Sequence, residues 1–287
     1  MTAADSEIRL VRRITSDGVA LVGDTGGDPD APLVVLMHGG GQTRHSWMGA
    51  MSTLITVGYR VLSYDARGHG ESEWSEPSDY SLPVRARDMV EIIGVEHAPI
   101  ALVGASLGGA TAMWAMADGF RPAAVVLVDI VPRPDPGGVA RIRRFMLGHP
   151  DGFASLAEAA DAVSAYNPHR PRPSDHSGLE KNLRLRPDGR FRWHWDPNIL
   201  ARDPEEEIAE FLATVEGLKR VRGVPIQLVR GLESDVVTDS GITELRAAMN
   251  DLEVFDVAGA GHMVAGDRND IFVDGVLEFL RQHVPPR

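Results

Sequence analysis

The sequence predicts an α/β fold: a mostly parallel sheet covered by helices on both faces, with a helical insertion late in the chain. Three observations carry that expectation. Short continuous apolar runs such as Leu33-Val34-Val35-Leu36-Met37 alternate with longer stretches of helical periodicity, and runs of this kind suit strands buried on both faces. These runs end in polar or glycine-rich residues, as strands do where they deliver loops to one edge of a parallel sheet. The length, 287 residues, suits one large domain, or a core with a sizeable insertion.

In chain order, residues 8–14 and 19–22, split by Ser16-Asp17-Gly18, predict an opening hairpin, followed by a polar loop over 23–32. The Leu33–Met37 strand ends in His38-Gly39-Gly40-Gly41. Helical periodicity over 47–57 precedes a strand at 60–64, which ends in Asp65-Ala66-Arg67-Gly68-His69-Gly70-Glu71-Ser72. Residues 84–93 read as a helix with its apolar face at Val84, Met89, Ile92 and Ile93. A strand at 100–103 enters Gly104-Ala105-Ser106-Leu107-Gly108, an alanine-rich helix follows over 110–117, and the next buried strand, 123–128, reaches Asp129.

The pattern then changes. Residues 131–222 show no comparable β run but proline- and arginine-rich pieces, including 132–136 and 168–173, between helical patterns at 153–166 and 205–218. The expected division is therefore a core over 1–132 and 222–287 and a helical lid or cap over 133–221. Residues 225–231 restore the strand pattern; a helix at 242–249, a last strand at 252–257, the Gly259-Ala260-Gly261-His262 loop and an amphipathic helix at 271–283 complete the chain.

Composition narrows the function. A formal net charge of −12 disfavours nucleic acid and anionic membranes as partners, and no apolar run reaches the roughly 18 residues of a membrane span. The N-terminal residues lack a basic and apolar leader pattern, so the expected location is the cytoplasm. With no cysteine, thiol nucleophiles and cysteine metal sites are excluded; no metal and no cofactor are implied. A small-molecule substrate remains the expected partner, with oligomeric state open.

The chemistry converges on the edge where the strands end. Gly104-x-Ser106-x-Gly108 between a strand and a helix has the form of a nucleophile elbow, in which a serine on a sharp turn needs near-absent side chains two positions either side. A serine hydroxyl is weak until a base takes its proton. His262, on the loop after the last strand, is the candidate base. A carboxylate must orient it, and the order Ser, acid, His fits Asp129 or Asp235. Asp129 is favoured, with Asp235 kept as the alternative.

Taken together, the His38-Gly39 strand end, Trp47, the Asp65–Ser72 segment, the elbow and the Gly261-His262 loop resemble the α/β-hydrolase superfamily over essentially the whole chain. Within it, the sequence is similar to serine esterases and to the proteins labelled cofactor-free haloperoxidases. The resemblance implies a catalytic triad of Ser106, His262 and Asp129, and an oxyanion hole made by the amides of Leu107 and Gly40. It assigns structural roles to His38, Asp65, Arg67 and His69. Many relatives carry the acid three residues after the glycine ending the strand at 225–231, where this chain has Ser234, with Asp235 one later. Epoxide hydrolases and haloalkane dehalogenases are disfavoured because they use an aspartate where Ser106 stands.

The expected function is a serine hydrolase cleaving a small or medium ester or lactone through an acyl-enzyme. The alternatives are a C–C bond or amide hydrolase or a perhydrolase with the same triad, and, from another class, a receptor-like ligand-binding protein of slow turnover. Phe145, Phe153, Tyr166 and the tryptophans of the insertion are candidate pocket or packing residues, and Arg141, Arg143 and Arg144 read as a solvated cluster.

Overall fold

The computed structural model describes residues 7–76, 78–168, 175–249, 251–267 and 269–286. The elements are β1 (Arg9–Ile14), β2 (Ala20–Gly26), β3 (Leu33–Met37), α1 (Met48–Thr56), β4 (Arg60–Tyr64), α2 (Leu82–Ile93), β5 (Ile100–Ala105) and α3 (Leu107–Ala117). They continue with β6 (Ala124–Val128), α4 (Pro136–Leu147), α5 (Leu156–Tyr166), β7 (Leu183–Leu185), β8 (Phe191–Trp193) and α6 (Pro204–Leu218). The chain closes with β9 (Ile226–Gly231), α7 (Asp239–Ala248), β10 (Leu252–Val257), α8 (Val264–Asp267) and α9 (Asn269–His283).

Eight strands form one sheet in the order β1-β2-β4-β3-β5-β6-β9-β10. Pairing is antiparallel from β1 to β2 and from β2 to β4, and parallel everywhere else. The apolar runs explain why: β3 and β6 are buried at every position, so both faces must be covered. One face packs on α2, α3, α6 and α7 through residues such as Met89, Met113, Leu218 and Leu245, and the other on α1 and α9 through Leu54, Phe272 and Leu280. Alanines and glycines on α3 allow a close approach. A Cβ on Gly217 of α6 would lie 2.7 Å from that of Ala117.

Within 133–221 the structure departs from the expected helical pattern. Residues 183–185 and 191–193 pair as a short antiparallel ribbon, with Phe153 bridging to Phe191. Three-residue strands are too short for periodicity to reveal. A separate apolar cluster containing Met146, Phe153, Leu183, Trp193 and Trp195 holds this segment together. The expected loop at 23–32 is likewise partly strand: β2 runs on to Gly26 because Gly23–Gly26 pairs with β4. On α2 the buried face is Leu82, Arg85, Ala86, Asp88, Met89 and Ile92, whereas Val84 and Ile93 are only half-buried. Among the described residues no helix is long and apolar enough to cross a membrane.

Register places the strand ends together. Met37 pairs with Gly104, Ala105 with Val128, Val128 with Val229, and Val257 with Gly231. The residues that follow, His38, Ser106, Asp129 and the loops after β9 and β10, therefore meet at one edge of the sheet.

Candidate active site

Ser106 joins β5 to α3 with φ 45° and ψ −107°, a left-handed conformation costing about 1–3 kcal/mol for a residue with a side chain. The glycines make that turn possible. A Cβ on Gly104 would sit 2.5 Å from the Gly108 carbonyl carbon, and one on Gly108 would sit 2.4 Å from the Met37 carbonyl oxygen. Local bonds hold the turn: the Ser106 amide donates to Val128 O (3.0 Å), and its carbonyl accepts from Ala110 N (2.9 Å).

His262 Nδ1 lies 2.7 Å from Asp129 Oδ2. Asp129 is buried and itself adopts a positive φ of 51°. Its Oδ1 accepts from the Gly231 amide (3.1 Å), and its Oδ2 also accepts from Ser234 Oγ (2.6 Å). Ser234, three residues past Gly231, thus donates to the carboxylate at the end of β6. Its own hydroxyl oxygen accepts from Val236 N (3.2 Å). Asp235 points elsewhere, pairing with Arg141 on α4 at 2.8 Å, and Arg141 lies over the Tyr166 ring. The structure therefore brings Asp129, not Asp235, to His262.

Three buried imidazoles tie down the loop after β3 and the Asp65–Ser72 segment. His38 Nε2 accepts from Ala66 N (2.9 Å), which leaves the proton on Nδ1 to bond Gly39 O (2.8 Å). His69 Nε2 accepts from Gly41 N (3.1 Å), and His194 Nδ1 accepts from Gly70 N (2.7 Å). Each is therefore neutral. Burial pushes the His38 and His69 pKa values down and lowers that of His194 to about 3. The Gly39 amide donates to Gln42 Oε1 (2.9 Å), so Gly40 is the middle member of a glycine run whose neighbours are both tied. Among the described residues, neither the Gly40 nor the Leu107 amide has a protein acceptor.

The Asp65–Ser72 segment is held by buried charge. Arg67 bonds both oxygens of Asp88 at 2.5 Å, and Asp65 accepts from the backbone amides of Arg44 (2.7 Å) and Glu71 (2.9 Å). A Cβ on Gly70 would fall 2.1 Å from the Asp65 carboxyl carbon, which explains that glycine.

Above this edge opens a cavity of about 730 Å3 bordered by Gly40, Ser106, Leu107, Asp129 and His262. Its opposite walls come from residues between Pro134 and Phe211. Trp193 and Trp195 stack at 4.9 Å, Phe145 stacks on Tyr166 at 4.3 Å, and all four line the space. Phe153 instead lies fully buried behind Trp193. Arg143 also borders the cavity, near Glu207 and bonded to Leu200 O (3.0 Å); Arg144 is exposed. Of the other histidines, His97 and His149 are exposed, His176 is half-buried and His169 lies outside the described residues.

The fold and this edge define an α/β-hydrolase, and the chain belongs to that family: the pattern of the Alpha/beta hydrolase family matches residues 34–274. It is an enzyme, a hydrolase similar to carboxylic ester hydrolases. The chain is 33% identical over 266 residues to esterase Rv0045c of Mycobacterium tuberculosis, covering 86% of this chain and 83% of that one. A solved structure of that esterase superposes with a TM-score of 0.73 at 27% identity, covering 94% and 92% of the two chains. Mouse sn-1-specific diacylglycerol lipase ABHD11 is 27% identical over 269 residues, 88% of this chain and 82% of the lipase.

Sequence reasoning passed over two groups at this site. His194 sits in Trp193-His194-Trp195-Asp196-Pro197, where neighbouring tryptophans hint at burial but nothing marks its bond to Gly70. Arg85 occupies the core face of α2, where a strongly polar residue contradicts the helical pattern; that contradiction was the available signal.

Proposed function

We propose that the protein is a serine hydrolase that cleaves a small or medium ester or lactone through an acyl-enzyme. The observation that carries this is the juxtaposition of a conformationally strained Ser106 with the His262–Asp129 pair on the wall of one cavity. Ser106 Oγ attacks the carbonyl carbon while His262 Nε2 accepts its proton; Asp129 holds the opposite ring nitrogen in the donating tautomer and stabilises the imidazolium. The Leu107 and Gly40 amides receive the developing oxyanion, each such donor being worth about 3 kcal/mol of barrier. Expulsion of the alcohol consumes the proton on His262. Water then attacks the acyl-serine by the reverse transfer, releasing the acid and restoring Ser106.

Residues 133–221 act in this scheme as a cap that supplies the aromatic wall of the pocket. The esterase and lipase activities named for the relatives support the ester class. The test is labelling by a fluorophosphonate together with turnover of p-nitrophenyl acetate and butyrate. Wild-type protein takes one label per chain and hydrolyses both esters, and Ser106→Ala does neither. Retention of labelling in Ser106→Ala, or absence of labelling and turnover in the wild type, overturns the proposal.

A further inference from the structure

Arg85 is a buried guanidinium with no carboxylate bonded to it among the described residues. The residue is 4% exposed, a placement that is costly for a charge unless it is paired. Its Nε donates to Tyr80 O (2.9 Å) and its Nη1 reaches Arg67 O at 3.4 Å, with the group over the Tyr80 ring at 5.4 Å. Asp88, the acid whose charge acts most strongly on it, spends both oxygens on Arg67. Among the described residues, Nη2 of Arg85 has no acceptor. Burial pulls the Arg85 pKa down to about 10, which leaves it charged at neutral pH.

Position gives this charge a use. Arg85 lines the 730 Å3 cavity, and it also borders a small void beneath the first turn of α3 together with Leu107 and Thr111. It therefore stands close to the elbow rather than at the outer rim. The other charges on the cavity wall are paired: Arg202 with Glu210 at 2.7 Å, Arg143 with Glu207 at 3.7 Å, and Asp129 with His262. Glu207, half-buried, also feels Arg85 at a distance but makes no ion pair with it. Among the described residues, Arg85 is thus the cation on the wall left without an ion-pair partner. A planar fork with unused donors in an apolar-walled site is suited to a carboxylate, which would gain charge-assisted hydrogen bonds there and relieve the uncompensated burial.

We propose that Arg85 is an anion subsite and that the preferred substrates are esters bearing a free carboxylate, such as hemiesters of short dicarboxylic acids. This rests on the serine ester hydrolase assignment for turnover, but the subsite itself is testable without turnover. Methyl hemiesters of succinate, glutarate and adipate are compared in a pH-stat with methyl butyrate, valerate and hexanoate. The expected result is a kcat/KM at least tenfold higher for the best hemiester than for its neutral counterpart. Arg85→Met lowers hemiester kcat/KM at least tenfold more than neutral-ester kcat/KM, and Arg85→Lys recovers part of the difference. Glutarate binding to wild-type protein is followed separately through the fluorescence of Trp193 and Trp195, with the expectation that it weakens at least tenfold in Arg85→Met and falls with added salt.

Neutral esters turned over as well as hemiesters, equal losses on both series in Arg85→Met, or no glutarate binding by the wild type would overturn the subsite. Glutarate binding that depends on Arg85, in a protein that hydrolyses no ester and takes no label at Ser106, would support the subsite while removing the hydrolase assignment.

Discussion

Replacing Asp129 by asparagine isolates the role of one carboxylate with almost no change in volume. The present carboxylate accepts from three donors: His262 Nδ1 and Ser234 Oγ on Oδ2, and Gly231 N on Oδ1. An amide has one accepting oxygen. If that oxygen stays with Gly231, the new NH2 faces His262 Nδ1 and donates to it, so the ring proton moves to Nε2, the atom that in the proposed mechanism accepts the proton of Ser106. If the amide flips, the NH2 meets the Gly231 N–H and leaves buried donors opposed, at a cost of about 1–3 kcal/mol. The incompetent tautomer therefore dominates by roughly 5- to 150-fold, and the amide also lacks the negative charge that stabilises the imidazolium, so together kcat should fall by about 10^4, on the order of 5.5 kcal/mol of barrier. Asp235→Asn breaks only the half-exposed pair with Arg141, worth about 0–1 kcal/mol, so its kcat/KM should stay within about fivefold of wild type. Initial rates on p-nitrophenyl butyrate measure both. An Asp129→Asn enzyme retaining more than about a tenth of wild-type turnover, or an Asp235→Asn enzyme falling further than it, would refute the reasoning.

Ser234→Ala removes a 2.6 Å hydroxyl bond to the same carboxylate, and steady-state kinetics should show kcat reduced roughly tenfold with KM little changed, since hydrogen bonds to charged groups are worth about 1.5–3 kcal/mol. Stability should fall in acid. His194 titrates near 3 when folded because burial disfavours its cation, but near 6.5 when unfolded, so below pH 6.5 the unfolded chain binds the extra proton. Its contribution is complete above pH 6.5 and is lost at about 1.4 kcal/mol per pH unit down to pH 3; melting midpoints from pH 7 to pH 4.5 check this, and a flat profile contradicts it. Gly108→Ala drives a methyl to 2.4 Å from the Met37 carbonyl, so denaturant unfolding should show a loss of at least about 1–3 kcal/mol, with slower labelling of Ser106.

Much of the fold was legible because it is written in short-range patterns. The buried runs at 33–37 and 123–128 emerge as β3 and β6 within a residue, and the glycines around Ser106 announce a turn whose sterics involve only its own neighbours and the adjacent strand. The ribbon of β7 and β8 was not legible, since three-residue strands carry no period and gain their stability from Phe153 and the tryptophans. The extension of β2 to Gly26 was hidden for a related reason. Glycine and aspartate read as loop residues until β4 supplies their hydrogen bonds.

The sequence by itself determined the parallel sheet, the serine at the end of β5 and the histidine after β10, because apolar periodicity and glycine sterics act between near neighbours along the chain. Only the tertiary structure shows which of the two acids lies beside His262. The registers of β6 with β9 and of β9 with β10 set Asp129 beside Gly231, Ser234 and His262, while Asp235, one residue past Ser234, turns to Arg141. Arg85 is the same lesson in reverse. Whether a buried arginine is paired or left open to a cavity depends on which residues surround it in space, and those come from α2, α3, the Asp65–Ser72 segment and the residues between Pro134 and Phe211 at once.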